Sequence, residues 1–166
     1  GLSVPRNVLA GGTSAVVNFG NVLPSGSTIC SATRYSGSAK GRILQGSSAN
    51  WLHGHWSGKA GVAHFSGFLS GAPDRVSPIT DWVMMCSIGG TNKPMVVNGQ
   101  EYTVSGGNSN SPGELRVNSG MHAAEASDFE ISDVAVFDRE LSVEEMQNVV
   151  DYFYVSPPGT RGTCSD

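Results

Sequence analysis

The sequence predicts an all-β sandwich or barrel that ends in one short helix. Three observations carry this expectation. Short apolar runs recur at intervals of roughly 8–12 residues, separated by Gly, Ser, Asn and Pro, which fits many paired strands better than alternating strands and helices. Glycine is abundant, 22 of 166 residues or about 13% against a norm near ~7%, and supplies the tight turns that many short strands need. Charged residues make up 14% against ~25% in an average domain, and a hydrophobic share of 39% then argues for a packed core and against disorder.

The strand candidates, in order, are Ser14–Phe19, Ser27–Tyr35, Arg42–Gly46, Trp51–Trp56, Val62–Leu69, Trp82–Ile88, Met95–Val97, Glu101–Val104, Glu114–Val117 and Phe129–Phe137. Asn98-Gly99 separates two of them and is a two-residue hairpin signal, because a type I′ turn needs positive φ at both central positions. The stretch Gly106–Gly113 reads as a loop with nothing to pack. After the last strand, Ser142 and Glu145 form a capping box, and Leu141 and Met146 are placed for the accompanying hydrophobic staple. Val143, Met146, Val149, Val150 and Phe153 recur at helical spacing and give one apolar face. Pro157-Pro158-Gly159 forbids continuation, so the helix spans about 142–154.

A chain of 17.3 kDa suits one domain, read as residues 1–155, followed by a polar tail or linker over 156–166. A net charge of −4 argues against general nucleic-acid binding, and no apolar run approaches the ~18 residues of a membrane span. The start Gly1-Leu2-Ser3 carries no Met and no signal peptide, and reads as a mature fragment or a domain of a larger protein. Of the three cysteines, Cys30 and Cys86 lie in strand-like runs and Cys164 in the tail. The first two are either bridged neighbours in one sheet or two buried thiols, and the residues alone leave both open. None forms a CxxC pair.

The stretch from Phe129 through Asp138-Arg139-Glu140-Leu141-Ser142 to Met146 resembles the closing strand and helix of laminin-G-like and pentraxin-like domains, members of the concanavalin A-like jelly-roll group. Ser27–Tyr35 resembles their early core strand, and Asp81–Gly90 followed by Met95–Gly99 resembles their central strand and its Val-Asn-Gly hairpin. The resemblance implies a two-sheet antiparallel jelly-roll sandwich. It also implies a Cys30–Cys86 disulfide, since pentraxins bridge the matching positions, and with it an extracellular or cell-surface location. Calcium, held by oxygen ligands in rim loops, is a possible cofactor by the same resemblance, with Asp74, Asp81 and Asp128 as candidate ligands and Glu125 as a further carboxylate. One departure matters. Where pentraxins place a Glu-Gln-Asp cluster after the strand matching Glu114–Val117, this chain has Asn118-Ser119-Gly120-Met121.

The same fold group includes glycoside hydrolases, which need two carboxylates about 5–9.5 Å apart. The Glu-x-Asp-x-x-Glu run of the jelly-roll hydrolases does not occur here. Glu125, Asp128, Glu130 and Asp133 come nearest and read as charges at a strand edge. No Gly-x-Ser-x-Gly elbow, P-loop or dinucleotide fingerprint occurs, so the expectation is a protein without catalytic function. His53 and His55 share one strand face, and His64 on the next run could complete a metal site, but strand histidines in a half-buried sheet are the simpler reading.

The densest aromatic and polar stretch is Asn50–Trp56. Alternation puts Trp51, His53 and His55 on one face and Leu52 and Trp56 on the other. A ring beside imidazole and amide groups suits a sugar, with Arg42, Lys59 and Arg75 as added donors, whereas a sandwich core would instead bury the tryptophans. The glycan-binding expectation therefore names Asn50, Trp51, His53, His55 and Arg75. The function expected is glycan binding or cell adhesion by a module of a larger extracellular protein. Its rival is a protein–protein or structural module with no sugar site. Partners are then a glycan, an extracellular protein or neighbouring domains of the same chain, with no nucleic acid and no membrane insertion.

Overall fold

The computed structural model describes residues 7–65, 76–90, 92–103 and 113–155. The strands are β1 (Leu9–Gly11), β2 (Val17–Leu23), β3 (Thr28–Lys40), β4 (Leu44–Gln45), β5 (Trp51–Trp56), β6 (Lys59–Phe65), β7 (Val83–Ile88), β8 (Pro94–Val97), β9 (Gln100–Thr103), β10 (Gly113–Val117) and β11 (Ser127–Phe137). A 3-10 turn, Ala123–Glu125, precedes β11, and the helix α1 (Val143–Val155) follows it. They form a six-stranded sheet in the order β1-β11-β3-β7-β8-β9 and a five-stranded sheet in the order β2-β10-β4-β5-β6. Every described pairing between these strands is antiparallel. The fold is the two-sheet jelly-roll sandwich with a C-terminal helix.

Register decides which side chains face the core. Across the five-stranded sheet, Val17, Val117, Leu44, His53 and Ala63 are consecutive partners and form one inward row. The next row, Asn18, Arg116, Gln45, Leu52 and His64, points to the other face. In the six-stranded sheet, Ile29 and Tyr35 of β3 and Val83 and Met85 of β7 face the opposing sheet, while Cys30, Ala32, Met84 and Cys86 face α1. There are thus two apolar layers, one between the sheets and one between the outer face of the larger sheet and the helix. Met146, Val150 and Phe153 bury the helix stripe in the second layer.

The local signals act as their chemistry requires. Ser142 N donates to Glu145 Oε2 at 2.8 Å and Glu145 N donates to Ser142 Oγ at 3.2 Å, a reciprocal capping box. Arg139 grips the same carboxylate and, with the backbone bond to Ser142, holds Glu145 down to about 2. Asn98 and Gly99 take φ of 47° and 81° between β8 and β9, the positive angles that the hairpin needs. Cys30 and Cys86 are directly opposite partners in β3 and β7 and are joined by a disulfide, with Cα atoms 4.1 Å apart. The bridge is fully buried under α1.

Several boundaries differ from the sequence reading. β1 has three residues, too few to show a period, and forms because β11 offers it a pairing edge. β6 begins at Lys59 because Ser57 and Gly58, both at positive φ, turn the chain straight back from Trp56. The expected end of that strand, residues 66–69, lies outside the described residues, as do the Gly106–Pro112 part of the expected loop and the tail 156–166 that contains Cys164.

Candidate functional site

The expected sugar face of β5 is interior. Trp51 is 1% exposed, and His53 and His55 are 0% exposed. Trp51 packs edge-on against Phe65 with ring centroids 5.7 Å apart. His53 Nδ1 lies 2.8 Å from Ser87 Oγ and its Nε2 lies 3.3 Å from the Met85 carbonyl, so this ring reaches across to the other sheet. His55 reaches it too, with Nδ1 3.4 Å from Thr33 Oγ1 and its ring 4.5 Å from that of Tyr35. Alternation along β5 is as expected, but its polar-looking face is the inward one. The reason is that β3 and β7 present Thr33 and Ser87 to meet the imidazoles. The buried indole N–H of Trp51 has no hydrogen-bond partner among the described residues. Trp51, His53 and His55 therefore offer no surface to a sugar.

The same geometry removes the three-histidine metal site. His53 and His55 sit between the sheets, whereas His64 lies on the opposite face in the row with Leu52. The two described calcium candidates, Asp81 and Asp128, do not come together either. Asp128 Oδ2 accepts the Ala39 N–H at 2.9 Å, Asp81 is exposed beyond the other flank of β3, and Asp74 lies outside the described residues, as does Arg75. Among the described residues, no three His, Cys, Asp or Glu side chains gather as a metal site.

The outer face of the five-stranded sheet holds a polar cluster instead. The segment from Asn118 to Glu125 runs back across β4 and is tied there by Met121 N to the Gly46 carbonyl at 2.8 Å and by His122 N to Gln45 Oε1 at 3.3 Å. Asn118 anchors its start. Its amide Nδ2 donates to the carbonyls of Gly12, Ala15 and Ser127, and its Oδ1 accepts from Ser127 N at 2.9 Å. At its end, Glu125 meets Arg42. Arg42 Nε donates to Glu125 Oε2 at 2.6 Å, and Arg42 Nη1 donates to Asn50 Oδ1 at 2.9 Å and to the Trp51 carbonyl at 3.4 Å. The Trp56 indole N–H donates to Glu125 Oε2 at 3.2 Å. Gly41 makes this approach possible, since a Cβ there would stand 1.8 Å from the Glu125 carbonyl oxygen.

Around the buried Arg42, the residues Asn50, Trp56, His64, His122 and Glu125 are half-exposed, with the Nε2 atom of His122 itself buried. His64 Nδ1 lies 3.1 Å from the Asn50 carbonyl. Burial lowers its pKa, the Asn50 carbonyl opposes that, and the charges of Arg42 and His122 lower it further. The cluster joins an indole held in a fixed orientation to amide, imidazole and carboxylate groups. Of the described residues expected to bind a glycan, Asn50 belongs to it, together with Arg42, which was expected as an added donor. Sequence reasoning named Trp56 without this role, and missed His122. The pairing of Arg42 with Glu125 spans 83 positions and leaves no local signal.

The other carboxylates near Glu125 in sequence are also engaged. Glu130 pairs with Arg34 at 2.6 Å, and Ser132 Oγ donates to Asp133 Oδ2 at 2.5 Å.

No family model and no curated protein sequence matches the chain. Solved structures do. A SAP-like pentraxin from Limulus polyphemus is similar at a TM-score of 0.57 and 14% identity, over 96% of this chain and 88% of that one. The receptor binding domain of botulinum neurotoxin type G is similar at 0.50 and 12% identity, over 91% of this chain and 46% of that one. A Trypanosoma rangeli sialidase is similar at 0.50 and 12% identity, over 78% of this chain but 23% of that one. These likenesses establish the concanavalin A-like jelly-roll fold, and not a laminin-G family. The sialidase corrects the expectation of a protein without catalytic function. An enzyme chain carries this fold as well, so the fold and the missing motifs do not exclude catalysis.

Proposed function

We propose that this chain is a binding module of a larger extracellular or cell-surface protein, and that it takes up a glycan on the outer face of the five-stranded sheet. One observation carries the reading: the half-exposed Trp56 donates its indole N–H to Glu125, and Arg42 links that carboxylate to Asn50. A sugar ring stacks its C–H face on an aromatic plane while polar neighbours bond its hydroxyls. The disulfide supports an oxidising compartment. No helix among the described residues is long and apolar enough to cross a membrane. Two of the similar structures bear names that fit a binding role, a pentraxin and a receptor binding domain.

The test is a glycan array probed with the chain, with and without chelator, alongside Trp emission during polysaccharide titration and analysis for released sugar products. Binding that Trp56→Ala abolishes supports the proposal. Silence across the array with unmoved emission removes it.

A protein-binding reading has its own observation. Val8, Leu9, Val16, Phe19, Val22 and Met121 are large apolar side chains left exposed, five of them on or beside the first two strands. Self-association in light scattering would favour that reading.

A further inference from the structure

We infer that Arg42 is the built-in cation of the outer face: its guanidinium holds the oxygens that would otherwise call for a divalent metal, so ligand uptake there is metal-independent. The last step rests on the glycan reading; the first does not. The guanidinium gathers a carboxylate oxygen of Glu125 at 2.6 Å, the amide oxygen of Asn50 at 2.9 Å and the main-chain carbonyl of Trp51 at 3.4 Å. Carboxylate, amide and carbonyl oxygens are the donor types a hard cation such as calcium collects in a loop site. Here they converge on a guanidinium, a planar cation with several N–H donors and no acceptor.

The layering is also specific. Arg42 is 4% exposed, whereas the Glu125 side chain is 40% exposed and lies over it. The same Glu125 oxygen that accepts from Arg42 accepts from the Trp56 indole. Arg42 thus fixes the carboxylate, and the carboxylate fixes the ring. Arg42 Nε and Nη1 are turned to protein oxygens, and its own N–H donates to the Glu125 carbonyl at 2.5 Å. It is a positioning residue for Trp56.

The experiment follows thermal unfolding of the wild type, Arg42→Ala and Arg42→Lys in chelator and in about 10 mM calcium, a concentration that fills weak extracellular-type sites. The wild type and Arg42→Lys should melt at the same temperature in both. Arg42→Ala should melt lower in chelator and recover by about 2–4 °C in calcium, because the uncovered oxygens then accept the metal. A calcium-dependent rise in the wild type, or an Arg42→Ala protein as indifferent to calcium as the wild type, overturns the inference. Should Arg42→Ala not fold, Arg42→Met keeps the apolar stem and takes its place, and the wild-type measurement still decides. No glycan enters these measurements. A silent array removes the glycan reading alone, and a calcium response of the wild type removes this inference alone.

Discussion

His53 of the five-stranded sheet and Ser87 of the six-stranded sheet are joined by a 2.8 Å contact through the centre of the sandwich. A polar bridge in this place makes the interior sensitive to protons. An imidazolium there would lose its hydration and gain little in return.

The first prediction concerns pH. Burial pushes His53 down from 6.5 to about 4, against the opposing bond to the Met85 carbonyl. Burial and then the charge of His53 push His55 down to about 3. Both folded values lie below the unfolded value, so the unfolded chain binds more protons throughout the interval. Stability is therefore full above pH 6.5 and falls as pH drops toward 4 and then 3, by roughly 3 kcal/mol for His53 alone. Glu145, whose folded value is lowered, adds an acid loss that starts only below its unfolded value near 4.5. The diagnostic window is pH 6.5 to 5, above the unfolded value of Glu145. Denaturant midpoints should fall across it, and a His53→Gln, His55→Gln double variant should fall much less, keeping only the slope of the partly buried His64. A flat wild type across that window would show that the imidazoles are not held neutral.

How far the sequence reveals this interior depends on the range of the interaction. The capping box of Ser142 and Glu145 is legible because its partners are three residues apart. The turn at Asn98-Gly99 is legible because the required φ values select those residue types. The alternation of Trp51 to Trp56 is legible from period two, but its direction is not. Both faces of β5 carry aromatic or polar groups, and the inward choice depends on Thr33, Ser87 and Tyr35 from the other sheet. The outer-face cluster depends on Arg42 meeting a carboxylate brought back by the Asn118–Glu125 segment, which only the strand order dictates.

Removing the disulfide should weaken the fold markedly. Cys30 and Cys86 are 56 positions apart, and the chain-entropy model gives about 4 kcal/mol for a loop of that size. The paired Cys30→Ala, Cys86→Ala variant should show a denaturant midpoint lower by a corresponding amount, with the helix still packed on the same face. Alkylation of the unfolded protein without reductant should leave these two thiols unmodified. Modification of all three cysteines under those conditions contradicts the bridge.

Asn118 should behave as a structural clamp. It is 4% exposed, sits at a φ of 57° and exchanges bonds with Ser127 while holding the Gly12 and Ala15 carbonyls. Asn118→Ala leaves buried backbone groups unpaired and places a Cβ residue without a compensating bond in the left-handed region. A loss of about 2–4 kcal/mol is expected. Asn118→Gly removes the strain but not the lost bonds, so it should fall between Ala and wild type. If Gly restores full stability, the hydrogen bonds contribute nothing and the clamp is only conformational.

Trp51 and Trp56 separate core from surface five residues apart. Trp51→Ala empties a site that is 1% exposed between the sheets, and should cost about 3–5 kcal/mol. Trp56 lies half-exposed at the rim, held through its indole by Glu125. Trp56→Phe keeps an apolar ring but loses the bond to Glu125, so it should change stability by about 1 kcal/mol. Its effect on glycan affinity should be larger, a loss of tenfold or more, because a ring no longer tethered to Glu125 must be ordered when the sugar arrives. Glu125→Gln, which keeps an acceptor for the indole, should retain more affinity than Glu125→Ala. Equal affinity in wild type, Trp56→Phe and Trp56→Ala would place the ligand somewhere other than this face.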